Sequence, residues 1–228
     1  VSQIIYTPGK LTLAKTQKYP TNDPDFSSVS LLLHGDGING STTIVDSSLS
    51  PKKVLPVGNA QISTAQSKFG GASIAFDGNG DYLTATVNTF NISTDKFTIE
   101  SWVYLTSRTG FTLISGTNFY LTELGGIVYL GDGFANNVTF GNTELPLTTW
   151  FHVAVTFDQT TYRVFIDGVD KGNSTYLLTS FNFSNVEIGA RAVSSLYTDG
   201  YFDDYRITKD VARYTGNFTP PTAPFLDF

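Results

Sequence analysis

Phe97-Thr98-Ile99-Glu100-Ser101-Trp102-Val103-Tyr104-Leu105 and, further along, Trp150-Phe151-His152-Val153-Ala154-Val155-Thr156-Phe157 are the stretches that decide the fold. Side chains two apart along each share a character, which is the period of a β-strand. In the first stretch Phe97, Ile99, Ser101 and Val103 fall on one face, and Thr98, Glu100, Trp102 and Tyr104 on the other. Both sets contain large apolar groups, so this strand is expected to be covered on both sides for part of its length. The second stretch, Trp150–Asp158, is followed by Tyr162–Ile166 and then by Asp167-Gly168, which predicts a hairpin and a further turn.

Similar short runs extend outward from these two. They are Val29–His34, Ser73–Phe76, Tyr82–Val87, Thr112–Ser115, Phe119–Thr122, Ile127–Leu130, Val186–Gly189 and Tyr201–Thr208, with Gly, Asn and Asp between them. Asp77-Gly78-Asn79-Gly80 predicts a second hairpin, because glycines after Asp and Asn permit the positive φ of a tight turn. Helical periodicity never exceeds one or two turns, with a brief helical turn expected near Thr208–Tyr214. Strands at this spacing with almost no helix predict an all-β fold, a two-sheet antiparallel jelly-roll sandwich. Trp102 and Trp150 are expected to bury large areas between the sheets. A jelly roll brings its ends together, so Val29–His34 is expected beside Tyr201–Thr208. In the latter run Phe202 alternates to one side, and Tyr205 and Ile207 to the other; a bulge at Asp203-Asp204 would reconcile them.

Residues 1–28 have a different character. Tyr6-Thr7-Pro8-Gly9 and Tyr19-Pro20-Thr21-Asn22-Asp23-Pro24 are turn and linker chemistry around one short strand near Leu11–Ala14. This reads as an extended N-terminal arm before a sandwich domain at 29–228. The chain has no Met, even at position 1, which reads as a processed product or a portion of something longer. Its start shows no signal-peptide pattern, and no apolar run approaches the roughly 18 residues of a membrane helix.

Only 15% of residues are charged, against about a quarter in an ordinary soluble domain. The net charge is −6. Such a chain lacks the basic footprint that binding nucleic acid demands, and an anionic membrane surface is disfavoured for the same reason. Cysteine is absent, which excludes disulfides and thiolate chemistry. The only histidines, His34 and His152, sit within strand patterns, too few for a zinc site and without a nucleophile elbow nearby.

Several stretches together resemble the laminin-G-like, concanavalin-A-like jelly-roll family, in the form common in phage tail and bacterial surface proteins. They are Leu31-Leu32-Leu33-His34-Gly35-Asp36-Gly37, Phe69-Gly70-Gly71-Ala72, Phe76-Asp77-Gly78-Asn79-Gly80-Asp81-Tyr82-Leu83 and the strands at 97–103, 150–157 and 164–168. Val186-Glu187-Ile188-Gly189, Asp203-Asp204-Tyr205-Arg206-Ile207 and Ala212-Arg213-Tyr214-Thr215-Gly216-Asn217-Phe218 complete the set, over about residues 29–225. Glycoside hydrolases of this scaffold commonly carry their two carboxylates on one strand as Glu-x-Asp-x-Glu. The glutamates here are Glu100, Glu123, Glu144 and Glu187, and none has an acidic partner two residues away. The expectation is no enzyme, with Glu100 and Glu187 as outward polar positions or hydrogen-bond acceptors.

The resemblance implies a glycan-binding adhesion module of a virion or an extracellular surface. Candidate contacts for a glycan or cell-surface polysaccharide are Tyr120, Glu123, Asp132, Asn136, Asn137, Arg191 and Tyr197, from loops rich in aromatic, amide and carboxylate groups. The bland reading of those loops is solvated connection. A second reading is a structural subunit that binds other subunits or its own copies without sugar. The resemblance also implies a structural calcium ion beside the loops, for which Asp36, Asp46, Asp203 and Asp204 are the candidate ligands. The alternative for these four is capping of turns and acceptance of backbone amides.

Overall fold

The computed structural model describes residues 22–108, 110–132, 137–142, 144–179 and 182–228, and the backbone of two short strands before them. The side chains of residues 137, 141, 142 and 183 fall outside the description, as does Asn136 altogether. In chain order the strands are β1 (Ile4–Thr7), β2 (Lys10–Leu13), β3 (Val29–Leu33), β4 (Val54–Val57), β5 (Gln61–Ser63), β6 (Ser73–Asp77), β7 (Tyr82–Asn91), β8 (Phe97–Leu105), β9 (Phe111–Gly116) and β10 (Phe119–Leu124). They continue as β11 (Ile127–Gly131), β12 (Asn137–Asn142), β13 (Trp150–Phe157), β14 (Tyr162–Ile166), β15 (Val169–Ser174), β16 (Asn182–Ile188), β17 (Ala190–Arg191), β18 (Leu196–Tyr197) and β19 (Asp199–Lys209).

Two antiparallel sheets form the sandwich. One has the order β12-β11-β10-β9-β16-β7-β4, and the other β15-β14-β13-β8-β19-β6-β5, with β3 also paired to β19. β1 pairs with β2, and β17 with β18, as separate two-stranded pieces. β19 is the organising strand of the larger sheet. One edge lies along β8, while the other is shared by β6 at its first half and β3 at its second. The expected meeting of the ends is therefore realised, Leu33 opposite Tyr205 and Leu31 opposite Ile207.

The predicted bulge is also present. Asp203 pairs with Trp102 and Arg206 with Glu100, three residues against two. Asp204 is the extra residue, with φ of 48°, in the left-handed region that Asp tolerates better than most. Phe202, Tyr205 and Ile207 thereby all reach the core. That core is one cluster between the sheets, including Phe90, Phe97, Phe119, Phe157, Tyr162 and Phe202. Each such side chain removed from water contributes about 1.5–3 kcal/mol before the cost of ordering it.

Three expectations are corrected. Asp77-Gly78-Asn79-Gly80 does not close a hairpin, because β6 and β7 lie in opposite sheets and the turn carries the chain across the sandwich. The Asp81 carboxylate fastens this crossing by accepting the amides of Asp77 and Asn59. Turn chemistry specifies a reversal of direction; the partners of the flanking strands are chosen by packing. No helical turn forms at Thr208–Tyr214 either. There Thr98 Oγ1 donates to the Val211 carbonyl at 2.9 Å and accepts the Arg213 amide at 2.9 Å, holding the chain open. Finally, Trp102 and Trp150 are not between the sheets. They share the outer face of the larger sheet with Thr98, Glu100 and Tyr104, since β8 sends Phe97, Ile99, Val103 and Leu105 inward.

Candidate functional site

The outer face of the larger sheet is built in rows that run across the strands. Its far end is closed by the segments at 22–28 and 210–228, where Phe26, Val29, Leu32 and Phe225 form a small second core. Beneath them lies a buried charge network. Arg206 donates through Nε and Nη2 to Glu100 Oε1 at 3.0 and 2.7 Å, and through Nη1 to Asp23 at 3.0 Å. Arg213 donates to both oxygens of Asp23 at 3.0 and 2.8 Å, and Tyr214 donates to Glu100 Oε2 at 2.8 Å. The Arg206 guanidinium, with His152 and Arg213, holds the Glu100 carboxyl well below the usual carboxylate range despite complete burial. Two cations and two anions balance here, so the network is a cross-tie between the ends of the domain. It encloses Glu100, which is an acceptor as expected but not a solvated one.

The middle row is also covered. Trp102 is buried beneath Lys68, whose ammonium lies 3.6 Å from the indole centroid, and against Phe69 and His152. The Asp203 carboxylate pins this cover by accepting the amides of Lys68 and Phe69 at 2.7 and 3.0 Å.

The next row is open. Trp150 pairs with Tyr104, Tyr104 with Tyr201, Tyr201 with Ala75, and Ala75 with Gln61. Five adjacent strands thus present Trp150, Tyr104, Tyr201, Ala75 and Gln61 in line, over about 19 Å at the usual strand spacing. The three aromatic side chains are each half-buried. Their ring centroids are 5.6 Å apart for Tyr104–Trp150 and 6.0 Å for Tyr104–Tyr201, with planes inclined at 57° and 74°. Beyond them runs a polar row in which Thr106 donates to Asp199, Asp199 pairs with Asp77, and Asn59 Nδ2 donates to Asp77 at 3.3 Å. A cavity of about 620 Å³ opens between the two rows, lined by Tyr201, Asn59, Gln61, Asp77, Thr106 and Asp199 among others. Gly200 keeps the rows in place. With φ of 156°, it lies so close to β8 that a Cβ there would overlap the Tyr104 carbonyl oxygen.

Aromatic faces beside hydroxyl, amide and carboxylate groups suit a ligand with apolar C–H faces and a hydroxyl rim. The row was missed in sequence because Trp102, Tyr104 and Trp150 show alternation without showing which strands lie side by side. Tyr104 and Trp150 on outward positions, with Tyr201 on the closing strand, were the available signal.

The residues singled out from sequence do not form one site. Tyr120 is buried, and Arg191 lies over its ring at 3.7 Å, so this aromatic face is already occupied. Tyr197 is half-buried in β18, which pairs with the strand that carries Arg191. Glu123 is buried and caps the turn at Gly126, while Asp132 is buried and accepts the Thr179 amide at 3.1 Å. Asn136 and the side chain of Asn137 lie outside the described residues. On the outer face of the other sheet a groove of about 550 Å³ is lined by Lys53, Leu55, Thr84, Thr86, Asn185 and Glu187 among others, with no aromatic ring.

Three of the four carboxylates expected for calcium, those of Asp46, Asp203 and Asp204, accept hydrogen bonds from the protein itself. Asp46 accepts the amides of Leu32, Ser48 and Lys52 and the Ser48 hydroxyl. Asp204 accepts the Phe225 amide at 2.7 Å and sits 2.6 Å from His34 Nδ1. Asp36 abuts Gly70 and acts electrostatically on Asp203. Among the described residues no group of three or more His, Asp or Glu side chains is placed to hold a metal ion. The bulge directs its carboxylates to amides and His34.

Residues 77–213 match the family model of the concanavalin A-like lectin/glucanases superfamily. Among solved structures, the receptor-binding domain of botulinum neurotoxin mosaic serotype C/D is similar over 86% of this chain and 49% of its own, at 16% identity and a TM-score of 0.60. Domain 4 of an extracellular arabinanase from Geobacillus stearothermophilus, in complex with arabinotriose, is similar over 81% of this chain and 94% of its own, at 14% identity and a TM-score of 0.58. Trypanosoma rangeli sialidase is similar over 79% and 30%, at 15% identity and a TM-score of 0.52. The chain thus spans about half the length of the neurotoxin domains it matches. No curated protein sequence matches it. At these identities the likeness is one of fold.

Proposed function

Because the chain belongs to the concanavalin A-like lectin/glucanase superfamily, we propose that it is a non-catalytic glycan-binding module of an extracellular or virion surface adhesion protein. The observation that carries this reading is the half-open row Trp150–Tyr104–Tyr201 with its polar companion row and cavity. Sugars are held by aromatic contact with their C–H faces and by hydrogen bonds at their edges, and this end of the sheet supplies both. The arabinotriose complex of the arabinanase domain supports a carbohydrate ligand for this kind of fold. The glutamates furnish no hydrolytic pair at this site. Glu100 is enclosed, Glu123 caps a turn, Glu144 pairs with Arg108, and Glu187 accepts from Ser115 and the Ala192 amide. None is among the residues that line the cavity beside the aromatic row. Multivalent display on a surface would raise weak binding at such a site to useful avidity.

A glycan array tests the reading, with Trp150→Ala and Tyr104→Ala alongside the native chain. Binding that weakens about tenfold or more in both variants is expected. Retention of full affinity by both would overturn the platform, and release of a shortened sugar would overturn the non-catalytic role.

An assembly role draws on a different surface. Ile38, Val45 and Leu49 are exposed on the segment between β3 and β4, where a protein partner or a second copy would cover them. Light scattering of the native chain and of Ile38→Ser with Leu49→Ser separates this role from sugar binding. Self-association that these changes abolish supports it, and a concentration-independent monomer removes the second copy as occupant.

A further inference from the structure

We infer that the aromatic row and its cavity take a single, uncharged glycan chain and discriminate against acidic sugars; this rests on the glycan-binding reading above and names its ligand class. Two independent observations carry it, one of charge and one of shape.

The cavity beside Tyr201 carries charge of one sign. Asp77, Asp81 and Asp199 line it, and among the described residues no Lys, Arg or His does. Asp81 is committed to the amides of Asp77 and Asn59, so its oxygens face the protein, although its charge still acts locally. Asp77 and Asp199 form the polar row itself. Lys68 is spent on the neighbouring row, across the Trp102 ring, and Arg108, two residues beyond Thr106, is paired with Glu144. A uronate, sialate or sulfate placed on the Tyr201 ring would meet carboxylates without a counter-charge, on a chain that already carries a net −6. Neutral hydroxyls meet acceptors there instead, which suits them as donors. Like charges a few ångströms apart at a protein surface repel enough to weaken binding by about tenfold or more.

The rings of the row are inclined to one another. Planes at 57° and 74° cannot all lie flat against one planar array of chains. They can each offer a face or an edge to successive parts of a chain that turns as it crosses the strands. A soluble chain fits this row, and the surface of a crystalline polysaccharide does not.

The test uses the full chain and matched probes. These are galactose-terminated oligosaccharides with their sialylated forms, glucose oligomers with their glucuronate-capped forms, and crystalline cellulose. Calorimetry or an array is expected to show the neutral member of a pair bound about tenfold or more tightly than its acidic partner. The gap is expected to narrow in about 1 M salt, where screening is nearly complete within a few ångströms. In Asp77→Asn with Asp199→Asn the acidic forms are expected to gain on the neutral ones, since the amides retain acceptor oxygens without the charge. Acidic forms bound as tightly as neutral ones, or strong retention on cellulose, would overturn the inference while leaving the glycan platform standing. Absence of binding to every soluble probe would overturn the platform itself.

Discussion

Arg206 directs two of its nitrogens, Nε and Nη2, at a single oxygen of Glu100, with both side chains closed off from solvent. Removing the Glu100 charge leaves two guanidiniums, the buried Arg206 and its neighbour Arg213, sharing the one carboxylate of Asp23. Glu100→Gln is therefore expected to cost about 3–5 kcal/mol in urea unfolding. The native pair also shapes acid stability. Because Glu100 is held below its ordinary 4.5, it contributes stability above that value and loses it as pH falls further. A variant as stable as the native chain at neutral pH would show that the network is not a structural tie.

Asp203 sets an opposite pH dependence. Burial, reinforced by Asp204 and Asp36, pushes its carboxyl up to about 7, against the pull of the Phe69 and Lys68 amides. In the unfolded chain it titrates near 3.8, so between these values the folded state holds more protons and stability declines as pH rises. Asp203→Asn keeps an oxygen for the two amides, and is expected to flatten that decline by up to about 1.4 kcal/mol per pH unit. His34, raised by its contact with Asp204, adds a loss in the window above 6.5 that the variant retains. Parallel stability curves for the two proteins from about pH 4 to about pH 7 would contradict the assignment.

Gly200→Ala is expected to destabilise the domain, because the new methyl group overlaps a main-chain oxygen that cannot swing aside. Overpacking of this kind costs about 1–3 kcal/mol. For a chain of this length that lowers Tm by about 2–4 °C per kcal/mol. The displaced strand carries Tyr201, so glycan affinity should fall with it at temperatures where the variant is still folded. An unchanged melting curve would sink the prediction.

Arg191 and Tyr120 provide the contrasting control. Their contact is internal, so Arg191→Ala is expected to lose about 1 kcal/mol of stability at most and to leave glycan affinity within about twofold. A large loss of affinity would move the site to that end of the molecule.

Calcium is expected to leave the melting point unchanged, because the acceptor oxygens of Asp46, Asp203 and Asp204 already serve protein donors. An ion at about 100 times its dissociation constant would add roughly 2.7 kcal/mol, and with it a rise on the order of 5–10 °C. Melting in chelator and in millimolar calcium, for the native chain and for Asp204→Asn, distinguishes the two. A rise of that size in the native chain, abolished in the variant, would restore the ion.

The sandwich was legible because its inner strands alternate strongly; Phe97–Leu105 and Trp150–Phe157 needed nothing beyond their own spacing. The bulge was legible too, since Phe202, Tyr205 and Ile207 can share a face only with an extra residue between them. The short or polar strands β4, β5, β12 and β15 left no such trace. Val169–Ser174, for example, is held by its neighbour's backbone and alternates without apolar weight. The aromatic row was hidden for a related reason. Its members come from three strands distant in sequence, and their alignment is a property of pairing register that no single strand encodes.

The position of β19 has a kinetic consequence. Its two edges join β8 on one side, and β6 and β3 on the other, so residues near 30, 75 and 100 all wait for a partner near 200. During synthesis those earlier strands leave the ribosome with open edges and cannot close the larger sheet until the last strand has followed them. Loops of that length are entropically costly to close before any contact rewards it, so assembly is slow and falls late. The nascent domain is thus exposed to mispairing until its final segment appears, and a chain that stops short of residue 199 leaves β8 and its neighbours parted from β6, β5 and β3.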